Sequence, residues 1–325
     1  MTVPKYEITF IGNAIIDIIS KITDENLNAL NIRKGSMQLI DEKSSNKILN
    51  YVKNPIIISG GSAANTAVGF SSFGGKCSFI GQTCNDEFGV LFSKDLNNSG
   101  VFFENKIIQN SVKTSKSIVL VTPDAERSMN TYLGASVQFN INCINEELII
   151  NSKIIYIEGY LFDHEDAKKA IIHCCKLAKS NNCRIALSLS DSFCVERHRE
   201  EFCVLINKYV DIIFANETEI LSLYQSNLQE SLKKIREVVG VGAITIGPKG
   251  SIVFQNQIKN WVPTITVNDP VDTTGAGDIF ASGFLFGLIN KYSIEDCGKL
   301  GNKAASDIIK YFGARPKISL KTFLN

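Results

Sequence analysis

Residues 272–278 read Asp272-Thr273-Thr274-Gly275-Ala276-Gly277-Asp278. An apolar run follows directly, in which Phe280, Phe284 and Leu288 recur every four positions, and this spacing predicts a buried helix. A glycine-rich turn that enters a helix leaves backbone N–H groups free at the positive end of the helix dipole, where an anion can bind. Gly275 and Gly277 let the backbone approach such an anion closely, because neither has a Cβ.

Asp278 has two interpretations. A carboxylate beside an anion site can take a proton from an attacking hydroxyl, and its place at a helix start favours the ionised form. Alternatively, Asp278 only caps the helix, since Asp is a preferred N-cap residue, and the glycines only form a turn. These residues by themselves leave both interpretations open.

The composition is that of an ordinary globular protein. A chain of 325 residues with 44% hydrophobic and 21% charged residues can form one large domain, or a core with a smaller appendage. Its 34 basic and 33 acidic side chains give a net charge of +1, so we expect neither nucleic acid nor a membrane surface as a partner. No apolar run is long enough to span a bilayer.

The N-terminus and the cysteines indicate a cellular compartment. The first residues lack the basic segment and apolar stretch of a secretory signal. The 9 cysteines are odd in number, and none are spaced Cys-x-x-Cys. We therefore expect small core residues in a reducing, cytoplasmic environment, with no metal bound by cysteine.

The first apolar segment spans residues 8–19 and predicts one strand that is buried on both faces. Asn13 and Asp17 interrupt it. A charged residue in an apolar strand is costly unless it has a partner. Asp17 therefore either lies at an exposed strand end or accepts hydrogen bonds from the hydroxyl groups of a substrate.

A second glycine-rich element spans residues 55–67. A short strand runs into Gly60 and Gly61, and an alanine-rich helix begins near Ser62. The segment lacks the full Gly-x-Gly-x-x-Gly pattern, and no Gly-Lys-Ser/Thr follows, so it is not a Walker loop. Taken alone, it indicates a structural turn.

Residues 102–133 have the pattern of β structure. Residues 117–122 form the clearest strand, 123–126 a hairpin turn and 127–132 the returning strand. Together with residues 16–44, which include a short strand at 37–40, they predict a small sheet beside the core. We assign residues 1–15, 45–105 and 135–325 to the core, and 16–44 and 106–134 to the small sheet.

From residue 150 onward, strands alternate with helices. We expect strands at 153–157, 184–190 and 211–215, and helices at 165–180, 198–209 and 217–224. This alternation predicts a doubly wound, mostly parallel sheet with helices on both faces. Substrates bind such sheets at the carboxyl ends of the strands.

Three features follow strands in this part of the chain. Tyr160 can stack on a flat base or simply pack in the core. Asn216 can cap a helix whose first turn contains Glu219, which suits the helix dipole. The turn Thr245-x-Gly247-x-x-Gly250 joins two strands and needs no function as a hairpin.

The stretch at residues 272–278 resembles the second signature of the ribokinase-like (PfkB) family of carbohydrate and nucleoside kinases. Gly60-Gly61-x-x-x-Asn65 is similar to the first signature of that family, and five motifs follow the family order along essentially the whole chain. The segments at 157–161, 187–193 and 210–219 most resemble the adenosine kinase branch of the family, and those at 34–37 and 127–132 resemble its bacterial members. The resemblance implies a ribokinase-like fold in which the small sheet is a β lid over the acceptor site.

The resemblance also implies roles for individual residues. Asp278 would be the catalytic base, the backbone of Gly275, Ala276 and Gly277 the anion hole, and Arg127, if it is not a solvated turn residue, a partner of the migrating phosphoryl oxygens. The acceptor would be bound by Asn13, Asp17, Met37, Gly60, Gly61, Ser62, Asn65 and Tyr160. ATP would be bound by Asn216, Thr245, Gly247, Gly250, Thr274 and Asn302, with Glu219 holding Mg²⁺ through water.

The implied activity is transfer of the γ-phosphoryl group of ATP to the 5′-hydroxyl of adenosine, with Mg²⁺ as cofactor. Whether a monovalent cation such as K⁺ assists near Asp272, and whether the chain is a monomer or homodimer, stays open. Glu158 departs from the adenosine kinase pattern, which has a small residue there. A kinase of a free sugar such as ribose or fructose, or a non-catalytic nucleoside-binding regulator, therefore remain alternatives.

Overall fold

The computed structural model describes residues 4–104, 112–124 and 126–324. Residues 1–3, residues 105–111 of the expected β excursion and Ala125 of the expected hairpin turn lie outside this range. The strands are β1 (Tyr6–Ile11), β2 (Ile15–Lys21), β3 (Met37–Leu39), β4 (Ile56–Ser59), β5 (Cys77–Ile80), β6 (Val101–Phe103), β7 (Ser115–Val121), β8 (Arg127–Tyr132), β9 (Ser152–Glu158), β10 (Arg184–Ser188), β11 (Ile212–Asn216), β12 (Val241–Thr245), β13 (Ser251–Gln255) and β14 (Ile258–Val262).

The helices complete the inventory of the described residues. They are α1 (Asp24–Ala29), α2 (Glu42–Leu49), α3 (Ser62–Ser72), α4 (Glu87–Asn98), α5 (Glu146–Ile150), α6 (Glu165–Ser180), α7 (Ser192–Arg197), α8 (Arg199–Tyr209), α9 (Glu217–Tyr224), α10 (Leu228–Val238), α11 (Ala276–Ile289) and α12 (Ile294–Ile308). Short 3₁₀ turns connect some of them. None of the helices in the described ranges is long and apolar enough to cross a membrane.

The larger sheet has nine strands within the described residues, in the order β14-β13-β12-β11-β10-β9-β1-β5-β6. The pairs from β12 through β6 are parallel, whereas β13 and β14 are antiparallel additions at one edge. Apolar side chains from α3, α4, α11 and α12 cover one face, and those from α6, α8, α9 and α10 cover the other. The predicted doubly wound α/β fold is confirmed.

The smaller sheet has the strand order β3-β8-β7-β2-β4 within the described residues. Two expectations need correction here. Residues 8–19 are not one strand, because β1 ends at Ile11 in the larger sheet and β2 begins at Ile15 in the smaller one. At the break, the backbone N–H of Asn13 donates to the Glu158 carboxylate (3.3 Å) and not to a strand neighbour.

Strand β4 differs from its expected assignment as well. Residues 45–105 were expected in the core, yet Ile56–Ser59 pairs antiparallel with β2 in the smaller sheet. The chain therefore leaves the larger sheet at Gly12 and crosses the smaller sheet as β2. It crosses that sheet again as β4 and then enters α3. The Gly60–Gly61 turn thus lies between the two sheets.

Candidate active site

The turn before α11 places its glycines as the sequence predicts, but it does not use Asp278 as a cap. Gly275 is the N-cap, with φ of +77°, and a Cβ there would lie 2.3 Å from the Cβ of Ala314. Asp278 is the third residue of the helix, so the N-cap interpretation of this side chain is wrong. The N–H groups of Gly277 and Asp278 have no acceptor among the described residues. An anion site at this helix start is therefore sterically and electrostatically reasonable.

The Asp278 carboxylate is held by the first turn of α3. Ser62 Oγ donates to one carboxylate oxygen (2.6 Å), and Asn65 Nδ2 donates to the other (3.0 Å). Burial raises the pKa of Asp278 to about 6, while these two hydrogen bonds lower it. The group is therefore mostly ionised at neutral pH and can still accept a proton.

Gly61 fixes the turn that brings α3 to Asp278. It has φ of +88°, and a Cβ there would lie 2.4 Å from the backbone oxygen of Asn13. A side chain at this position would push the start of α3 away from the end of β1. Gly61 of the first glycine motif thus positions Ser62 and Asn65, which donate hydrogen bonds to Asp278 of the second glycine motif.

A cavity of about 390 Å³ lies between the carboxyl ends of the larger sheet and the smaller sheet. We call it the carboxyl-lined cavity, because its lining contains Asp17, Glu158, Asp163, Glu219 and Asp278. No lysine or arginine is among the described residues that line it. Of the predicted site residues, it also brings together Asn13, Met37, Gly61, Ser62, Asn65, Tyr160, Asn216, Thr245, Thr274, Gly275 and Gly277.

Asp17 lines this cavity from strand β2. Its carboxylate lies against Gly60, where a Cβ would be 2.1 Å from Asp17 Oδ2, so Gly60 contributes space although it does not line the cavity. Burial raises the pKa of Asp17 to about 7, and the positive charge of Arg315 opposes that rise. Asp17 is therefore not at an exposed strand end.

Glu158 ends strand β9 and is almost completely buried. Its carboxylate accepts hydrogen bonds from Asn13 Nδ2 (3.0 Å) and from the backbone N–H of Ala63 (2.8 Å) in α3. Burial raises the pKa of Glu158 to about 7, against the effect of these donors. Glu158 thus joins the end of β1 to the start of α3 and presents a carboxylate to the cavity.

An apolar region completes the carboxyl-lined cavity. Its side chains come from the smaller sheet and from the ends of core strands, namely Met37, Leu39, Met129, Leu133, Tyr160 and Phe214. The Tyr160 hydroxyl lies 3.5 Å from the backbone oxygen of Ser190. The cavity therefore offers apolar surface for a flat ring beside acceptors for hydroxyl groups.

A second cavity, of about 360 Å³, lies on the other side of the start of α11. We call it the uncharged cavity, because no ionisable side chain is among the described residues that line it. Thr245, Gly277 and Phe280 line both cavities, so the two meet at the helix start. The predicted residues Gly247, Gly250, Ala276 and Asn302 also line the uncharged cavity.

Asn302 lines the uncharged cavity, but its side-chain amide already donates hydrogen bonds within the protein. Its Nδ2 donates to the backbone oxygens of Val262 (3.0 Å) and Pro263 (3.1 Å). Asn302 therefore holds the end of β14 against α12, which the sequence did not indicate.

Asn216 and Glu219 form the helix cap that the sequence predicts. The Asn216 side chain accepts from the backbone N–H of Glu219 (2.8 Å), while Glu219 accepts from the backbone N–H (2.9 Å) and Nδ2 (2.6 Å) of Asn216. Burial raises the pKa of Glu219 to about 7. The described residues contain no group of three or more His, Cys, Asp or Glu side chains arranged to hold a metal ion.

Arg127 lines neither cavity, and it is not a solvated turn residue. Its Nη1 lies 2.7 Å from Asp272 Oδ1 and donates to Thr274 Oγ1 (3.0 Å), with 18% of the side chain exposed. Asp272 also accepts from the backbone N–H groups of Thr274 (2.9 Å) and Gly313 (2.8 Å). Arg127 thus ties strand β8 to the loop before α11, and contact with phosphoryl oxygens stays a prediction.

Arg315 makes contacts that the sequence does not indicate. This residue follows α12, and its Nη1 lies 2.5 Å from Asp95 on α4. Its Nε lies 3.5 Å from the side-chain oxygen of Asn65. A lone arginine near the C-terminus carries no motif, and both partners are more than 200 positions away in sequence.

The chain is similar to known proteins in both sequence and structure. Residues 34–321 match the family model described as pfkB family carbohydrate kinase. Adenosine kinase from Sinorhizobium meliloti is 40% identical, with a TM-score of 0.93 and coverage of 98% of both chains. A probable sugar kinase from Rhizobium etli CFN 42 is also 40% identical, with a TM-score of 0.92 and the same coverage.

One curated relative is named for a substrate other than adenosine. A 5-dehydro-2-deoxygluconokinase from Clostridium botulinum is 26% identical over 266 residues, which are 77% of this chain and 78% of the relative. Both the family model and the two structures nevertheless cover most of the chain. The chain therefore belongs to the PfkB family of carbohydrate kinases, which are ATP-using phosphotransferases with hydroxyl acceptors.

Proposed function

We propose that this kinase transfers the γ-phosphoryl group of ATP to the 5′-hydroxyl of adenosine, giving AMP and ADP as a step of purine salvage. The observation that carries the proposal is the position of the Asp278 carboxylate, at the start of α11 where the two cavities meet. Asp278 takes the proton of the 5′-hydroxyl as it attacks. The backbone N–H groups at the helix start stabilise the charge on the transferred group.

The carboxyl-lined cavity suits the acceptor. The Asp17 carboxylate accepts hydrogen bonds from the ribose hydroxyls, and the Asn65 amide donates one to a ribose hydroxyl. The apolar side chains around Tyr160 pack against the adenine ring. ATP then occupies the uncharged cavity, with its γ-phosphate at Gly277. Closure of the smaller sheet over the acceptor would exclude water, which otherwise competes for the phosphoryl group.

The charge of the carboxyl-lined cavity restricts which class of acceptor can bind there. Five carboxyl groups line it, and the pKa values of Asp17, Glu158 and Glu219 are already raised to about 7. An anionic acceptor would bring a further negative charge among them. The acceptor is therefore neutral, which argues against a sugar acid, the type of compound in the clostridial relative's name.

Magnesium fits this site through water. Glu219 and Asn216 line the carboxyl-lined cavity, and each Glu219 oxygen keeps a free lone pair beside the bond it accepts from Asn216. They would hold water ligands of an ion that comes with ATP, as Mg²⁺ commonly keeps several waters. When bound, the ion would neutralise phosphate charge. Asn216 and Glu219 would hold the water ligands of this ion through hydrogen bonds.

A neutral free sugar such as ribose or fructose is the second candidate acceptor. Glu158 favours it, because a carboxylate that ends β9 inside the cavity can accept bonds from additional sugar hydroxyls. The apolar side chains Met37, Leu39, Met129 and Leu133 favour the nucleoside, since a free sugar has no flat apolar face of that extent.

The test is ADP release by the purified protein with Mg-ATP and one acceptor at a time. Adenosine, inosine, ribose, fructose and gluconate separate the classes. We expect turnover with adenosine and none above background with gluconate. Turnover with a free sugar alone would show that the acceptor is the sugar, the second candidate, and not the nucleoside. No ADP release with any acceptor would favour a non-catalytic nucleoside-binding regulator.

A further inference from the structure

Helix α3 begins without a side-chain cap of its own. Its N-cap is Gly61, which makes no side-chain hydrogen bond, and its first turn contains no acidic residue. Other helices of the described chain do have such a cap, for example Asp86 before α4 and Ser293 before α12. A larger residue cannot replace Gly61, because its Cβ would lie 2.4 Å from the backbone oxygen of Asn13. Since Ala63 in the first turn is fully buried, its N–H needs an acceptor from another part of the protein.

Glu158 supplies this acceptor from the end of β9. Its Oε2 accepts from the backbone N–H of Ala63, the second residue of α3, at 2.8 Å, although the two residues are 95 positions apart. Its Oε1 accepts from the backbone N–H (3.3 Å) and Nδ2 (3.0 Å) of Asn13. A negative charge at the start of a helix is also favoured by the helix dipole. The Glu158 carboxylate therefore anchors the start of α3 to the ends of β1 and β9.

The surroundings of Glu158 leave little freedom for this carboxylate. Gly12 provides the space for it, because a Cβ at position 12 would lie 2.4 Å from Glu158 Oε2. The backbone N–H groups of Asn13 and Ala63 are donors whose directions are fixed by the main chain, so the group between them has to accept hydrogen bonds on both sides. A carboxylate has about four lone-pair positions, and the protein already uses three of them. Glu158 thus acts mainly on the protein, with at most one position left for a ligand.

The first turn of α3 also contains the two donors that contact Asp278. Ser62 lies one position before Ala63, and Asn65 lies two positions after it. They donate to the two Asp278 carboxylate oxygens at 2.6 Å and 3.0 Å. Because one helical turn moves as a unit, a displacement at Ala63 would carry both donors with it. The anchor at Glu158 therefore sets how closely these donors approach Asp278.

We propose that Glu158 is a positioning residue for the base: its carboxylate anchors the start of α3 and thereby holds Ser62 and Asn65 at hydrogen-bonding distance from Asp278. The inference rests on the proposed function in taking Asp278 as the base. It adds a residue of β9 that acts on Asp278 through α3.

The first test needs no activity. Glu158→Met keeps a long side chain but has no oxygen to accept from the Ala63 N–H. In crystal structures of the ligand-free proteins, the start of α3 should lie further from β9 in this variant. At least one of the two donor distances to Asp278 should lengthen from 2.6 or 3.0 Å to beyond about 3.5 Å, where no hydrogen bond remains. Two unchanged distances would overturn the proposal.

A second variant decides if Glu158→Met does not fold, which thermal unfolding will show. Glu158→Asp keeps the charge but shortens the side chain by one C–C bond. Either the Ala63 N–H loses its acceptor or α3 follows the shorter side chain, and the donor distances to Asp278 should change in both cases. Distances equal to those of the unaltered protein would overturn the proposal here as well.

Glu158→Gln is the conservative variant. Its amide oxygen can still accept from Ala63, while the Asn13 side chain can turn its own oxygen toward the new NH₂ group. Only the longer contact, from the backbone N–H of Asn13 (3.3 Å), is then lost. The donor distances to Asp278 should therefore stay near those of the unaltered protein. Distances as long as in Glu158→Met would show that the acceptor for Ala63 is not what holds α3.

Glu219→Met is the matched control. Glu219 is likewise a buried carboxylate of the carboxyl-lined cavity that accepts from a backbone N–H at a helix start, that of Asn216 at 2.9 Å, but the helix is α9. Its loss should leave the distances from Ser62 and Asn65 to Asp278 unchanged. An equal lengthening would show that the loss of any cavity carboxylate disturbs Asp278, and would contradict the proposal.

Kinetics with adenosine and Mg-ATP then test the action through the base. Glu158→Met should lower kcat about tenfold, because a small misplacement of a reacting group is costly, and Glu158→Gln should recover most of it. In the Asp278→Asn background, Glu158→Met should lower kcat by no more than about twofold further, since residues that act as a unit are not additive. A full tenfold further loss, or a raised KM of adenosine with normal kcat, would contradict the proposal.

The two kinds of measurement separate this inference from the proposed function. If the unaltered protein releases no ADP with adenosine, the proposed function fails, while the crystallographic distances still decide whether Glu158 holds Ser62 and Asn65 against Asp278.

Discussion

The two cavities that meet at Gly277 differ most in their charge. The carboxyl-lined cavity contains five carboxyl groups, three of which have pKa values raised to about 7, whereas the described lining of the uncharged cavity has no ionisable side chain. In the proposed function, the carboxyl-lined cavity would recognise the acceptor with titratable groups, and the uncharged cavity would recognise ATP with its backbone shape and a helix N-terminus. Changes of pH and substitutions of the carboxyl groups should therefore affect binding and reaction of the acceptor, whereas substitutions of the glycines should affect binding of ATP.

The largest effect is expected for Asp278, which lines the carboxyl-lined cavity close to the point where the two cavities meet. Asp278→Asn removes the base but keeps a side chain of similar size, so kcat should fall by about 10²–10⁴-fold. Binding of adenosine should persist, since Ser62 and Asn65 remain. Single-turnover kinetics and calorimetric binding of adenosine measure the two quantities separately.

Asp296→Asn is a matched control for this change. Asp296 is likewise the third residue of its helix, α12, but 55% of its side chain is exposed. Its kcat should equal that of the unaltered protein. A kcat of Asp278→Asn close to normal would remove Asp278 from the chemistry.

A smaller effect is expected for Asp17→Asn, and only on the acceptor side. A hydrogen bond to a charged group contributes about 1.5–3 kcal/mol, which corresponds to a rise of roughly ten- to hundredfold in the KM of adenosine. The KM of ATP should stay unchanged, because Asp17 does not line the uncharged cavity. Equal changes in both KM values would indicate a distorted fold and would break the contrast between the cavities.

The pH dependence of the reaction rate should also arise from the carboxyl groups of the carboxyl-lined cavity. In its proposed role as the base, Asp278 acts as an anion. Because burial raises its pKa to about 6, kcat should fall as the pH drops through that value. At pH 5 kcat should be about tenfold below its plateau, for one essential ionisation. The acid limb of kcat/KM for adenosine should lie higher, because the pKa of Asp17 is about 7. Rates that stay constant down to pH 5 would contradict both assignments.

The smallest effect is expected for a glycine of the uncharged cavity. Gly250 has φ of +102°, and a Cβ there would lie 2.1 Å from the backbone oxygen of Val262. Gly250→Ala should therefore cost about 1–3 kcal/mol in backbone strain and raise the KM of ATP several-fold, with the KM of adenosine unchanged. Initial rates at varied ATP measure this.

Gly247→Ala provides the comparison for that substitution. Gly247 has φ of +52°, and a Cβ there would meet nothing within 4 Å. Its effect on the KM of ATP should be clearly smaller. If both substitutions acted equally, crowding against Val262 could not be the cause.

The sequence predicted those features of the structure that depend on neighbouring residues. The turn before α11, the α9 cap at Asn216 and the alternation after residue 150 all rest on neighbours within a few positions, and the structure has them. The family resemblance also placed Gly60–Gly61 and Asp17 near Asp278. Most predicted site residues line one of the two cavities, although their individual roles stay predictions.

The remaining features depend on contacts between distant segments. The division of residues 8–19 into β1 and β2 depends on Glu158, which is 145 positions from Asn13. The placement of β4 in the smaller sheet depends on its pairing with β2. The ion pair of Arg127 with Asp272 and the contact of Arg315 with Asn65 have no local signature either. Apolar periodicity cannot reveal such partners, since it reports only which face of an element is buried.

The most direct measurement follows the transferred phosphoryl group itself. The protein is incubated with Mg²⁺, γ-³²P-labelled ATP and either adenosine or 5′-deoxyadenosine, which lacks the attacking hydroxyl, and the labelled products are separated. With adenosine we expect the label in 5′-AMP. With 5′-deoxyadenosine we expect no labelled nucleotide product, and competitive inhibition of the reaction with adenosine. Label only in inorganic phosphate, or on another hydroxyl of adenosine, would contradict the placement of the 5′-hydroxyl at Asp278.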